Sequence, residues 1–152
     1  MTQRRKGKRR QPLVLAGVGR ATGCLALVVF ADDCGSMRWL RLLRRGFRHC
    51  FVAVDDGGRW VICDPLSHQT DLTIVSGLNA GDLAAWYRGH GPLVVETVVR
   101  AAPPRPAPIR PFTCVEAVKR ILGIHAPSVV TPWQLYRLLT DDAKGTLDTR
   151  TS

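Results

Sequence analysis

The chain lacks any CxxC pair. Its five cysteines, Cys24, Cys34, Cys50, Cys63 and Cys114, follow no regular spacing. An odd count without a repeat argues against a secreted disulfide scaffold. Cys50, Cys63 and His68 form the one conceivable zinc set, and they match no familiar ligand spacing. Neither metal nor cofactor is therefore expected. Also missing is an apolar stretch of membrane-spanning length free of charge, which removes a transmembrane-helix reading. No zinc finger, helix-turn-helix or run of stacking aromatics points to a defined nucleic-acid fold.

Acidic residues are scarce, 12 against 22 Lys and Arg, giving a formal net charge of +10. The imbalance is concentrated. Arg4, Arg5, Lys6, Lys8, Arg9 and Arg10 stand in the first ten residues with no acid among them, and the remaining body is only mildly basic. Such a tail is either a solvated, disordered segment or a weak binder of an anionic partner such as nucleic acid or lipid headgroups. Residues 12–19 imitate the apolar core of a signal peptide. Arg20 interrupts that run just before the cleavage-like Ala21-Thr22-Gly23-Cys24, so a reduced, cytoplasmic chain is the expectation.

What is present suits a globular domain. The chain has 152 residues, 45% of them hydrophobic, enough to bury a core. The reading divides it into a basic, disordered segment over 1–23, one domain over 24–140 and a polar tail over 141–152. Residues 24–31 are continuously apolar and rich in β-formers, predicting a buried strand. Residues 37–45 set Met37, Leu40 and Leu42 or Leu43 at helical spacing among arginines, predicting a short amphipathic helix ended by Gly46. A strand is expected over 71–75 and another over 93–99. Between them, 79–88 predicts a helix with Leu83, Trp86 and Tyr87 inward. Prolines over 103–111 form an extended connector, and Thr131-Pro132 starts a last helix with a second capping box.

The strongest strand signal is a hairpin. Residues 47–54 and 59–64 flank Asp55-Asp56-Gly57-Gly58. A turn at Asp56-Gly57, or a four-residue loop, pairs Cys50 with Cys63 and His49 with Asp64. A turn at Gly57-Gly58 instead moves the partner of His49 to Leu66 and leaves Asp64 diagonal. Both registers keep His49 and Asp64 on one face, because a two-residue shift preserves side-chain parity.

Residues 112–123 read as a helix start with a cysteine in its first turn. Thr113 is the N-cap and Glu116 its capping-box partner. Cys114, Val118, Ile121 and Leu122 form one apolar stripe, Lys119 and Arg120 point outward, and Gly123 ends the helix. A thiol at the first helical position is favoured as thiolate by unpaired N–H groups and the helix dipole.

A helix-start cysteine, a strand histidine and an acid supply the three roles of thiol catalysis: Cys114 as nucleophile, His49 as base and Asp64 to orient it. His68 competes with Asp64 as the orienting group, or with His49 as the base. The order His49, Asp64, Cys114, with the segments 47–54, 60–65 and 112–123, resembles the circularly permuted papain-like cysteine hydrolases and acyltransferases. With the 131–139 helix, it also looks like small bacterial proteins of phage and prophage type. Phe112-Thr113 stand where that family usually has asparagine before the cysteine. The resemblance implies an α+β fold, an antiparallel sheet packed against the cysteine-bearing helix. It also implies cleavage or transfer of an unidentified amide, ester or thioester substrate through an acyl-enzyme. The competing reading is a non-catalytic interaction protein that keeps the fold.

Overall fold

The computed structural model describes residues 23–32, 42–103, 106 and 111–148. The basic segment, most of the expected 37–45 helix and most of the proline connector lie outside the described residues. Leu42 is in 3-10 helical geometry, and residues 43–46 form a bend and turn closed by the Phe47 N–H on the Arg44 carbonyl at 3.0 Å, so the helical geometry stops before Gly46.

The fold is α+β. In chain order the elements are β1 (Leu25–Ala31), β2 (His49–Asp55), β3 (Arg59–Pro65), β4 (Thr70–Ser76), α1 (Ala80–Gly89), β5 (Leu93–Val98), α2 (Cys114–Leu122) and α3 (Pro132–Asp148). The strands make one antiparallel sheet in the order β4-β3-β2-β1-β5. β1 lies inside it, covered on both faces, and Ala26 to Phe30 have no solvent exposure. That is why its sequence is continuously apolar rather than alternating. α2 and α3 pack on one face over Ala26, Val28, Phe30, Cys50 and Val52. α1 packs on the other over Leu27, Ala53 and Trp60. Phe30, Phe47, Trp133 and Tyr136 lock α3 to the sheet, with ring centroids 4.8–5.7 Å apart.

The hairpin adopts the second of the two expected registers. Asp55 pairs with Trp60, Val54 with Val61 and Val52 with Cys63. Gly57 and Gly58 occupy the turn with φ of 63° and 96°. A two-residue hairpin turn needs positive φ at both central positions, which two glycines supply without strain and Asp56 would not. Cys50 therefore does not face Cys63, and Asp64 stands diagonal to His49 rather than opposite it.

Three further expectations change. Trp86 is 57% exposed and rests on His90 at 4.4 Å, because Ala80, Leu83, Ala84 and Tyr87 form the stripe of α1 that meets the sheet. Lys119 is buried, 4% exposed. It lies one turn beyond Val115 on the covered side of α2, and its ammonium donates to the Ala126 and Val129 carbonyls at 3.0 and 2.8 Å. α3 runs on to Asp148, through residues 141–148 that the sequence reading gives to a polar tail. No helix among the described residues is long and apolar enough to cross a membrane.

Candidate functional site

α2 begins as its sequence dictates. Thr113 is extended, with φ −94° and ψ 168°, and its Oγ1 accepts the Glu116 N–H at 3.3 Å. The other half of the expected capping box is used differently: the Glu116 carboxylate is committed to Lys119 at 3.1 Å and Arg120 at 2.9 Å. The helix ends at Gly123, left-handed at φ 70°. Thr113 thus makes Cys114 the first helical residue. Its N–H precedes the first intrahelical bond, which runs from Ala117 N–H to Thr113 C=O.

Where α2 starts, the hairpin comes apart. The β2–β3 register ends at Val52 and Cys63, although β2 begins at His49 and β3 continues to Pro65. Side chains bridge the interval: His49 Nε2 donates to Asp64 Oδ1 at 2.6 Å, with the two side chains 15% and 31% exposed. With Nε2 committed to Asp64, Nδ1 is the ring nitrogen left to the Cys114 thiol, whose ionised form His49 favours. His68 is exposed in the β3–β4 turn, so the orienting contact is made by Asp64. Cys50, Cys63 and His68 do not assemble: among the described residues no group of three or more ligand-type side chains is placed to hold a metal ion.

Cys50 is the residue that sequence reasoning missed. It shares the packed cluster under α2 with Cys114, and its side chain and backbone N–H favour the Cys114 thiolate. Strand alternation would send His49 and Cys50 to opposite faces. Both nonetheless act on Cys114, at the end of β2 that still pairs with β1 but no longer with β3. The adjacency His49-Cys50 is the available signal, but the sequence reading weighs Cys50 only as a zinc ligand and as the hairpin partner of Cys63.

The electrostatics follow from these contacts. The Cys50 side-chain hydrogen bond draws the Cys114 thiol down against the opposing effect of burial. The His49 hydrogen bond, the Cys50 N–H and the charge of His49 add to it, and the thiol reaches about 5. Burial resists charging His49, but the hydrogen bonds to Asp64 and Cys114, and the attraction of both, raise the imidazole to about 9. Contact with Cys114, together with burial, pushes Cys50 well above the ordinary thiol range. The shifts run in the directions that favour a Cys114 thiolate beside a His49 imidazolium, with the proton kept on Cys50. On the α1 side, Tyr87 packs on Phe51 with ring centroids 5.3 Å apart, and burial and the nearby Asp64 raise its hydroxyl.

No family model matches the chain, and comparison with curated proteins and with solved structures likewise finds no match. The site has to be interpreted by its own chemistry.

Proposed function

We propose that the chain is a thiol-dependent hydrolase or acyltransferase of permuted papain-like type, acting on an amide, ester or thioester through a Cys114 acyl-enzyme. One observation carries the reading: the helix-start thiol of Cys114 and the His49 imidazole favour each other's charged forms, and the far ring nitrogen of His49 is fixed by the Asp64 carboxylate at 2.6 Å. Cys114 Sγ attacks the substrate carbonyl and forms the C–S bond. His49 gives its proton to the leaving amine, alcohol or thiol as the old bond breaks. The neutral imidazole then takes a proton from water, or from an acceptor alcohol or amine, which attacks the thioester and releases Cys114. Asp64 holds the ring in the orientation these transfers need and stabilises its charge. The N–H of Cys114, at the positive end of α2, is a donor of suitable kind for the oxyanion.

The experiment is cleavage of an activated ester such as a p-nitrophenyl acylate, followed for a burst of released phenolate. Cys114→Ala is expected to abolish the burst, and His49→Ala to slow turnover by about 10²–10⁴-fold. Thiol labelling across pH accompanies it. A Cys114 that titrates as an ordinary thiol, unmoved by His49→Ala, overturns the reading.

A further inference from the structure

The face of α1 that meets the sheet is made by Ala80, Leu83, Ala84 and Tyr87, at i, i+3, i+4 and i+7. Trp86 takes no part in that packing and is 57% exposed. A single exposed apolar side chain is ordinary. Trp86 differs because its ring is held, and because its neighbours lead to the site. It rests on the His90 ring at 4.4 Å, and His90 Nδ1 donates to the Trp86 carbonyl at 2.6 Å. Tyr87 stands across it at 5.0 Å and 77°. Tyr87 in turn meets Phe51 edge-on at 5.3 Å and 65°, and Phe51 lies 6.3 Å from His49. His49, Phe51 and Ala53 share one face of β2, and Ala53 packs under α1. Aromatic rings therefore run without a break from the imidazole to solvent, on the side of the sheet opposite α2.

We propose that this line of rings is the subsite for the substrate's leaving group: the amine or alcohol released as the acyl-enzyme forms carries an aromatic ring that lodges against Tyr87 and Trp86. The proposal rests on the acyl-enzyme reading. His49 delivers its proton to the departing atom, so that atom sits within hydrogen-bond reach of the imidazole. What the atom carries then continues past His49 onto Phe51 and Tyr87, while the acyl half, bonded to Cys114, begins on the α2 side. Two rings nearly at right angles make a corner. A third ring laid in it meets one with its face and the other with its edge, the arrangements that aromatic pairs favour. Because His90 fixes Trp86 beforehand, little side-chain freedom is lost when that ring arrives. Trp86 and Tyr87 are specificity-determining residues on this account.

A purely structural aromatic cluster behaves differently. Trp86 then only adds packing to α1, and its loss lowers stability without favouring one ligand over another. A subsite distinguishes ligands by where their ring is attached. N-benzylacetamide carries its ring on the leaving side of the amide, and its isomer, the N-methyl amide of phenylacetic acid, carries the same ring on the acyl side. The two have the same atoms, so apolar area alone does not separate them.

The test is titration of the full chain carrying Cys114→Ala, which leaves both amides uncleaved, with each isomer. Binding is followed by the backbone and indole N–H signals in two-dimensional NMR spectra. N-benzylacetamide is expected to shift the Trp86 indole and the Phe51 and Tyr87 amides, and to bind about 2- to 10-fold more tightly than its isomer, the worth of one aromatic pair. Adding Trp86→Ala is expected to remove that preference, and Trp86→Phe to keep most of it. Trp86→Leu, which keeps an apolar side chain without a ring, serves if Trp86→Ala does not fold. Equal binding of the two isomers overturns the proposal. So does a titration that leaves Trp86 and Tyr87 unshifted, or a preference that persists in the folded Ala or Leu variant. Binding needs no reaction, so failure of the acyl-enzyme reading shows separately, as ester cleavage that does not depend on Cys114.

Discussion

At His49 two opposing influences meet: burial, which disfavours the imidazolium, and the Asp64 and Cys114 contacts, which favour it more strongly. The sign fixes how activity depends on pH. Below about 5 Cys114 takes a proton and the nucleophile is lost. Above about 9 His49 gives up the proton destined for the leaving group. A bell-shaped kcat/KM profile with limbs near those values is the expected result for an amide or alkyl ester, whose leaving group needs that proton. Asp64→Asn removes the carboxylate charge while keeping an amide of similar shape. The alkaline limb is then expected to move down toward the ordinary histidine range, measured by the same profile, with the acid limb less affected. An alkaline limb that does not move in a folded Asp64→Asn variant rules out charge stabilisation by Asp64.

The element that delivers the thiol is α2, and its two ends are made differently. At the front, the Thr113 cap fixes which residue comes first in the helix. At the back, Gly123 lies at φ +70°, and an added Cβ would meet the Arg100 carbonyl. Gly123→Ala combines positive-φ strain with that clash and is expected to cost more than about 1 kcal/mol, read as a lowered urea midpoint. Lys119 joins α2 to the 126–129 segment through two carbonyls. Lys119→Met keeps the aliphatic stem but strands the Val129 carbonyl, leaves the Ala126 carbonyl with the Val129 N–H alone and leaves Glu116 with Arg120 alone. A loss of about 1–3 kcal/mol is expected, again by urea unfolding. Stability unchanged in that variant means that the loop finds other donors. The amphipathic pattern of α2 was legible in its residues. The inward lysine was not, because periodicity counts Lys as polar and cannot see that a neighbouring loop will offer it carbonyls.

Across the whole molecule, the face of the sheet that carries α2 and α3 is itself covered unequally, since Leu72 pairs with Cys63 and Cys63 with Val52 on that face. α2 and α3 close the Cys50, Val52 and Phe30 region, while Leu72 and Ile74 on the outer strand β4 are 69% and 66% exposed. Leu135 on α3 has no exposure. Leu135→Ala is expected to destabilise by about 2–5 kcal/mol through the cavity it leaves. Leu72→Ala, the same chemical change, is expected to stay within about 0.5 kcal/mol. Denaturant unfolding of the two variants side by side checks the contrast.

The sequence by itself determined much of this arrangement. The buried strand over residues 24–31, the capped start of α2 and the placing of His49 and Asp64 at one end of one hairpin all follow from local chemistry: apolar runs, cap residues, and parity that survives a two-residue slip. Only the tertiary structure decided the rest. It chose the Gly57-Gly58 turn and set Asp64 diagonal to His49. It turned Trp86 outward and Lys119 inward, and gathered Cys50 and Cys114 into one packed cluster. Each of these depends on where one element ends relative to another, and hydrogen-bonded ladders and helix faces carry no sequence record of that. The contact between the start of α2 and the open end of β2 and β3, on which the proposed chemistry rests, is such a meeting of ends.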